Sequence, residues 1–426
     1  MLHRVCPSRL WMESSASWFR SRFNTYLSIS AAKDHVGRPS NPKAGYRPEL
    51  TGLRGLAIMI VVIGHLFERV WRFYGDNRIS SFEHQILSFI ATPFTGCCIF
   101  FSLSGYSLML TLKNGRDPFE AGWFKTYGLR RLLRLWPPYA ILLVSTYLVL
   151  TATRYNPPQT PSFHSGPTSL TLSLLASLAL FHDIAFGTFP RLFPPGWFIE
   201  DQFQFIITGP VLWSLYGRLP FGLIRMVIGA LLVLDFTMLA AFSHDRGSQN
   251  IQYALIAFLP YFATGAYMAD IHLNVPRRSS NVKLWSICGY CALVTLMMIG
   301  MPFDDQFVQT SLRIGCLLIL IGVSCRAGTG LQRMTASRWM GRLGAISYSV
   351  FLVHLQVLEL VIPRIVETCD RFGLIPVLII SSGCGIGAVL VVAAPFYWFV
   401  ERPWVVAADL WSSRNATINP SARLRL

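Results

Sequence analysis

Arginine side chains with the spacing of an anion site precede one apolar segment of this 426-residue chain. Arg131 and Arg134 form an Arg-x-x-Arg pair just before the apolar run 135–152, and two guanidiniums spaced in this way can hold a phosphate or another anion. Arg130 adds to a positive cluster of the kind that marks the cytosolic end of a membrane-spanning helix. The cluster therefore predicts both an anion site and an orientation.

A second group of ionisable residues lies in the first apolar run, 53–70. Arg54 and His65 are eleven residues apart, about three helical turns and roughly 16 Å along the axis, so both project from one face. Glu68 lies on the same face, three residues after His65. Charged groups at membrane depth are costly and mark functional sites, although a single one is also explained by snorkelling or packing. Together these three predict a polar path through the protein.

Five further residues are candidates because of their positions in later apolar runs. Glu200 and Asp201 open one run shortly after Trp197, His354 lies midway along another, and Ser104 precedes a glycine. Each has a structural alternative: a solvated boundary for the two acids, an interhelical hydrogen bond for His354, and close helix packing for Ser104.

The composition predicts an all-α polytopic transmembrane helical bundle. Hydrophobic residues make up 53% of the chain and charged residues 14%, which argues against a soluble protein. Apolar runs of about the length that crosses a bilayer recur along it. They fall near 53–70, 88–111, 135–152, 170–186, 203–217, 222–242, 251–270, 284–301, 308–325, 344–366 and 374–400.

The basic loops decide how many of the eleven runs cross. Alternation through all eleven would place Arg277, Lys283 and Arg342 outside, against the positive-inside rule. The rule is obeyed if 170–186, which is rich in Ser and Thr, is an interfacial or re-entrant segment of an external loop near 153–199. We therefore predict about ten spans, with both termini cytosolic.

Charge and cysteine content argue against a nucleic-acid-binding protein and against a metal site. The net charge of +16 follows from the basic loops and tails, so no nucleic-acid partner is predicted. Cys288-x-x-Cys291 has no second pair and lies in an apolar run, so no metal site is predicted. The chain divides into a basic, disordered cytosolic tail (1–46), a transmembrane domain (47–405) and a cytosolic C-terminal tail (406–426).

Ordered blocks over residues 46–405 resemble the acyltransferase 3 family of integral membrane acyltransferases, in a eukaryotic, fungal form. Thr51 stands where many members carry Asp, and the spacing from Trp197 to Glu200 is about two residues shorter than is common. The blocks are RPELTGLRGLAIMIVVIGH (47–65), IFFSLSGYSLML (99–110), LRRLLRLWPPY (129–139), LLASLALFHDI (174–184), GWFIEDQFQF (196–205), ISYSVFLVHL (346–355) and FVERPW (399–404).

The resemblance implies transfer of an acyl group, commonly acetyl, from cytosolic acyl-CoA to a hydroxyl of a carbohydrate, lipid or secondary metabolite. It implies His65 as the catalytic base, Arg54 as its companion, and Arg131 and Arg134 as the coenzyme A anchor. The chemistry agrees, because histidine titrates near neutral pH and can take the proton of an alcohol.

The remaining candidates fit the same reaction in supporting roles. Glu68, Glu200 or Asp201 would fix the tautomer of His65, and Ser104 would donate to an oxyanion or to the donor. His354 and Trp197, together with Glu68, are candidates for binding the acceptor. Acyl-CoA, with acetyl-CoA as the default, is expected as a co-substrate rather than a bound cofactor.

A transporter is the alternative, because buried Arg, His and Glu also line substrate and ion paths. The halves 53–217 and 222–400 show no internal correspondence, which weighs against it. The acceptor and the acyl length stay open, and the endoplasmic reticulum is the default location.

Overall fold

A computed structural model of the protein describes residues 47–75, 79–90, 92–114, 119, 122–154, 169–246, 254–275, 281–299 and 305–418. The predicted tail 1–46 lies outside these residues. Residues Pro48–Ile418 form one compact unit. This described part of the chain is almost entirely helical and contains no strand, as the composition predicts.

Sixteen α-helices build the described part of the unit. In chain order, they are α1 Pro48–Tyr74, α2 Ser81–Ile90, α3 Pro93–Asn114, α4 Trp123–Thr153, α5 Leu170–Leu178, α6 His182–Phe186, α7 Gly196–Gly217, α8 Leu223–Arg246, α9 Leu255–Asn274, α10 Val282–Met298, α11 Gln306–Ser324, α12 Gly330–Thr335, α13 Arg338–Ala345, α14 Ser347–Cys369, α15 Leu374–Phe396 and α16 Arg402–Ile418. A 3₁₀ turn, Asp370–Phe372, separates α14 from α15, and a π-helical segment, Tyr397–Glu401, joins α15 to α16.

The long helices make this an integral membrane protein. Among the described residues, seven helical stretches are long and apolar enough to cross a membrane. They are Pro48–Tyr74, Pro93–Lys113, Trp123–Thr153, Leu223–Ala240, Gln306–Ser324, Ser347–Phe372 and Leu374–Trp411. The helices α7, α9 and α10 lie at the positions of the other three predicted spans.

The run 170–186 does not form a spanning helix. It is divided into α5, of nine residues, and α6, of five. Ser169 caps the start of α5 by accepting a 3.1 Å hydrogen bond from the Leu172 N–H, and Leu180 then adopts a positive φ of 58°. Nine residues rise only about 14 Å, less than half of a hydrocarbon core. The segment is therefore short and bent, as an interfacial or re-entrant element requires.

Small residues allow α3 and α9 to pack with their backbones nearly in contact. A Cβ atom at Gly105 would lie 1.9 Å from the Phe262 carbonyl oxygen, and one at Gly265 would lie 1.7 Å from the Ser102 carbonyl oxygen. Ser102 also donates a 3.0 Å hydrogen bond to the Tyr261 carbonyl. Larger side chains would separate the helices, because close approach in a membrane bundle depends on residues of this size.

Candidate functional site

Three arginines from two helices line a cavity of about 120 Å³ at one end of the bundle, here called the arginine cavity. Arg54 comes from the second turn of α1, whereas Arg131 and Arg134 lie on successive turns of α4. Among the described residues that line it there is no acid, and polar groups come from Ser104, Tyr127, Gln202, Ser347 and Tyr348. The hydroxyls of Ser104, Ser347 and Tyr348 already donate to backbone carbonyls. The cavity therefore offers mainly guanidinium donors to an anion with several oxygens.

One buried carboxylate lies next to these arginines. Glu401 ends the π-helical segment, accepts a 2.5 Å hydrogen bond from the Ser349 hydroxyl and is within electrostatic range of Arg134. The sequence reasoning missed Glu401. A lone acid at the end of an apolar run is nevertheless the same signal that identified Glu68.

Arg130 is separated from its two neighbours. Its guanidinium donates a 2.7 Å hydrogen bond to Asp409 of α16, and both side chains are exposed. Arg131 instead contacts the face of Tyr127, with its guanidinium carbon 5.6 Å from the ring centroid. The Arg-x-x-Arg pair and the adjacent arginine therefore face different surroundings, and their different roles stay predictions.

His65 lies in a second cavity, of about 350 Å³, here called the histidine cavity. Its Nδ1 is 2.8 Å from the Glu68 carboxylate, one turn further along α1. Trp197, from the first turn of α7, forms part of the wall and packs against Phe258 at a ring distance of 4.9 Å. Of the three carboxylates considered as partners for His65, Glu68 is the one that forms this hydrogen bond.

The contact with Glu68 assigns the tautomer of His65. An ionised carboxylate only accepts hydrogen bonds, so the Nδ1 of a neutral imidazole carries the proton in this pair. Nε2 is then left with a lone pair and can take a proton from a molecule in the cavity. A positive imidazolium formed in this way would remain beside the negative charge of Glu68.

His354 lies behind His65 rather than on the cavity wall. The two rings are 5.2 Å apart, and the His354 side chain is fully buried. Its Nδ1 is 2.6 Å from the Phe351 carbonyl, whereas Nε2 has no hydrogen-bond partner among the described residues. The geometry brings His354 to His65 but gives it no described contact with the cavity, and its role in acceptor binding stays a prediction.

A pair of phenylalanines separates the two cavities. Phe351 of α14 lines both, and Phe198 of α7 lines the arginine cavity. Their rings are 5.0 Å apart, and Phe351 also contacts Phe193 at 5.7 Å. Phe351 is therefore the residue at which the two cavities adjoin.

Glu200 and Asp201 line neither cavity. Both are fully buried, and Glu200 accepts a 3.1 Å hydrogen bond from the Asp183 backbone N–H. The carboxylates of Asp183 and Asp201 have no hydrogen-bond partner among the described residues. Burial, and next the carboxyl groups of Glu200 and Asp201, raise the pKa of Asp183 well above its usual range. The catalytic roles assigned to Glu200 and Asp201 stay predictions.

The sequence reasoning also missed an ion pair beside His65. Arg69, one turn after His65 on α1, donates a 2.6 Å hydrogen bond to Glu359 of α14, and the Arg69 side chain is almost completely buried. Its i+4 spacing from His65 is a detectable signal, because that spacing places it on the same helical face. The partner on α14 is not visible in the sequence of α1.

The chain is similar to a known protein family and to a bacterial protein. A family model described as an acyltransferase domain matches residues 47–405. A peptidoglycan O-acetyltransferase of Listeria monocytogenes is 21% identical over 376 residues, which are 84% of this chain and 56% of the relative. The chain thus spans little more than half the length of that relative. No solved structure gives a significant match to the chain.

Proposed function

The chain belongs to the acyltransferase 3 family, and on that premise we propose that it transfers an acyl group from acyl-CoA to the hydroxyl of an acceptor. The observation that carries the proposal is the pair of cavities that meet at Phe351, one with three arginines and one with the His65–Glu68 pair. The name of the bacterial relative describes O-acetyl transfer. Acetyl-CoA is therefore the donor that we propose first.

The arginine cavity is the proposed site of the coenzyme A phosphates. Arg54, Arg131 and Arg134 supply donors to phosphate oxygens, and planar guanidiniums match that geometry better than ammonium groups do. Ser104 lines the same cavity, and its hydroxyl donates a 3.0 Å hydrogen bond to the Phe100 carbonyl. In this proposal Arg54 binds the coenzyme A of the donor and does not assist His65. The two residues are about 16 Å apart along α1, and the pantetheine arm extends between them past Phe351.

His65 is the proposed general base. Its Nε2 takes the proton of the acceptor hydroxyl while the alcohol oxygen attacks the thioester carbonyl carbon. The carbon–sulfur bond then breaks, and the leaving thiolate receives the proton from the His65 imidazolium. Glu68 holds the imidazole in the reactive tautomer and stabilises its charged form, as its 2.8 Å contact with Nδ1 allows.

The test uses the purified full-length protein in lipid nanodiscs. It measures acyl transfer to added alcohols and, separately, binding of acetyl-CoA. His65→Ala should lower transfer by about 10²-fold or more with binding retained. The pair Arg131→Ala and Arg134→Ala should weaken acetyl-CoA binding instead. Arg130→Ala is the matched control, because this neighbouring arginine pairs with Asp409 on the surface.

Three outcomes would contradict the proposal. Near-normal acyl transfer by His65→Ala would show that His65 is not the base. Equal losses of acetyl-CoA binding in the Arg130 and Arg131 variants would show that Arg131 is not a specific anchor. Transport of a solute without release of free coenzyme A would favour a transporter. The location proposed is an endomembrane, with the endoplasmic reticulum as the default, and the arginine cavity facing the cytosol, where acyl-CoA is found.

A further inference from the structure

A third cavity adjoins the histidine cavity and is lined mostly by apolar residues. It has a volume of about 470 Å³, and we call it the lateral cleft. It lies among α4, α14 and α15, and it shares Arg69, Pro194 and Leu355 with the histidine cavity. Most of the other described side chains that line it are aliphatic, including Leu142, Val149, Leu150, Val353, Val357, Leu360 and Val392.

The outer edge of the lateral cleft faces lipid. Val149 of α4 is 57% exposed and Leu360 of α14 is 64% exposed, and both lie on membrane-spanning helices. Exposed aliphatic side chains on such helices contact acyl chains at no cost, because the tails are equally apolar. The cleft therefore presents an apolar edge to the bilayer and shares Arg69, Pro194 and Leu355 with the cavity that holds His65.

Six of the described residues that line the cleft are polar or charged: Arg69, Ser145, Thr146, Arg191, Gln356 and Glu359. Arg69 and Glu359 bond to each other at 2.6 Å. The amide oxygen of Gln356, which also lines the cleft, is buried without a hydrogen-bond partner among the described residues. An unsatisfied buried acceptor is unfavourable, and a hydroxyl donor would relieve it. The cleft thus suits a molecule with a large apolar body and few hydroxyls.

We propose that the acceptor is a membrane-dissolved amphiphilic alcohol, which enters the lateral cleft from the bilayer and places its hydroxyl beside His65. This inference rests on the proposed acyl transfer and names the class of acceptor for the same site. A water-soluble glycan fits the cleft poorly, because most of its hydroxyls would be buried against aliphatic side chains without partners. The polar part of the donor is assigned to the arginine cavity, on the other side of Phe351.

The experiment narrows the cleft and compares acceptors. Wild type and the variants Val149→Trp and Leu360→Trp are placed in nanodiscs of the same lipid and supplied with acetyl-CoA. The acceptors are ethanol, octanol, dodecanol and glucose. Leu148→Trp is the matched control, because Leu148 is the preceding residue of α4 and is also 57% exposed, yet it is not among the residues lining the cleft.

The wild type should acylate dodecanol with a higher kcat/KM than ethanol or glucose. Val149→Trp and Leu360→Trp should each lower the value for dodecanol by about tenfold or more, since a pocket that loses room for a few methylenes discriminates on this scale. The values for ethanol should fall by a smaller factor, and the Leu148→Trp variant should match wild type for both alcohols. Both substituted positions are exposed, and unchanged binding of acetyl-CoA in the arginine cavity shows that the variants are folded.

Other results separate the two proposals. Equal kcat/KM values for glucose and dodecanol, with no larger effect of the tryptophan variants on dodecanol, would overturn the inference about the acceptor. The proposed acyl transfer would stand. If Val149→Trp slows transfer from long-chain acyl-CoA but not from acetyl-CoA, the cleft holds the acyl chain of the donor, and the inference is also wrong. If no alcohol is acylated by the wild type while acetyl-CoA still binds, the proposed function itself fails.

Discussion

Glu68 is the carboxylate bonded to His65, and its replacement by glutamine tests what its charge contributes. We expect Glu68→Gln to lower kcat by about 10²-fold, because a neutral amide neither fixes the Nδ1 proton nor stabilises the imidazolium. The KM for acetyl-CoA should stay near the wild-type value, since the arginine cavity is not altered. Steady-state kinetics with the purified protein measures both quantities.

Glu83→Gln is the control for this substitution. Glu83 is an acid of α2 that bonds only to Ser80 in its own capping turn among the contacts described. It should retain wild-type kinetics. If Glu68→Gln also retained them, the supporting role would pass to Glu200 or Asp201, the other two carboxylates that the sequence offered.

The chemistry of single residues was more predictable from the sequence than their grouping. Buried-charge reasoning identified Arg54, His65 and Glu68. Helical periodicity placed all three on one face of α1, yet Arg54 lines a different cavity from the other two. Periodicity fixes the direction in which a side chain points but not which distant helix packs there. The arginines of α4 therefore could not be grouped with Arg54 in advance.

At the scale of elements, α14 and α7 separate the two cavities through Phe351 and Phe198. A larger ring at Phe351 should obstruct the pantetheine arm. We expect Phe351→Trp to lower kcat for acetyl transfer by about tenfold, because overpacking of this size costs ~1–3 kcal/mol. Binding of free coenzyme A in the arginine cavity should persist, and equilibrium binding of coenzyme A measures it independently of transfer.

Two variants define the limits of that prediction. Phe372→Trp enlarges a phenylalanine in the 3₁₀ turn after α14 that is 55% exposed, and it should leave transfer unchanged. Phe351→Leu keeps an apolar side chain of smaller size and should let the arm pass. Full activity of Phe351→Trp would mean that donor and base meet by another route.

The non-crossing segment shows what an element-level pattern can predict. Its Ser and Thr content and the basic loops after it indicated that 170–186 does not span the bilayer, and α5 and α6 are too short to do so. The burial of Asp183 against Glu200 was not predictable, because it depends on how α6 packs against α7. A pattern within one segment predicts whether the segment spans the bilayer, but it does not predict which helices pack against it.

At the scale of the whole molecule, basic residues gather at the end of the bundle that holds the arginine cavity. Gly344 packs against Thr51 near the start of α1, which brings α13 and its arginines to that end. Arg326, at the end of α11, lies 4.5 Å from the ring of Trp285, at the start of α10. The segments that carry these arginines therefore lie on one side of the membrane, as the ten-span topology requires. We propose that this side is cytosolic.

This topology predicts that the natural sequon at Asn415, in Asn415-Ala-Thr417, carries no glycan, because it never enters the lumen. The matched control creates the same tripeptide on the opposite side. Pro157→Ala with Pro158→Thr turns Asn156, three residues after the last residue of α4, into an acceptor. Expression in a eukaryotic cell followed by an endoglycosidase mobility assay should show a shift for the control and none for the natural chain. A glycan on Asn415 would place the arginine cavity on the luminal side, away from cytosolic acyl-CoA, and the anchor would then have to bind a different anion.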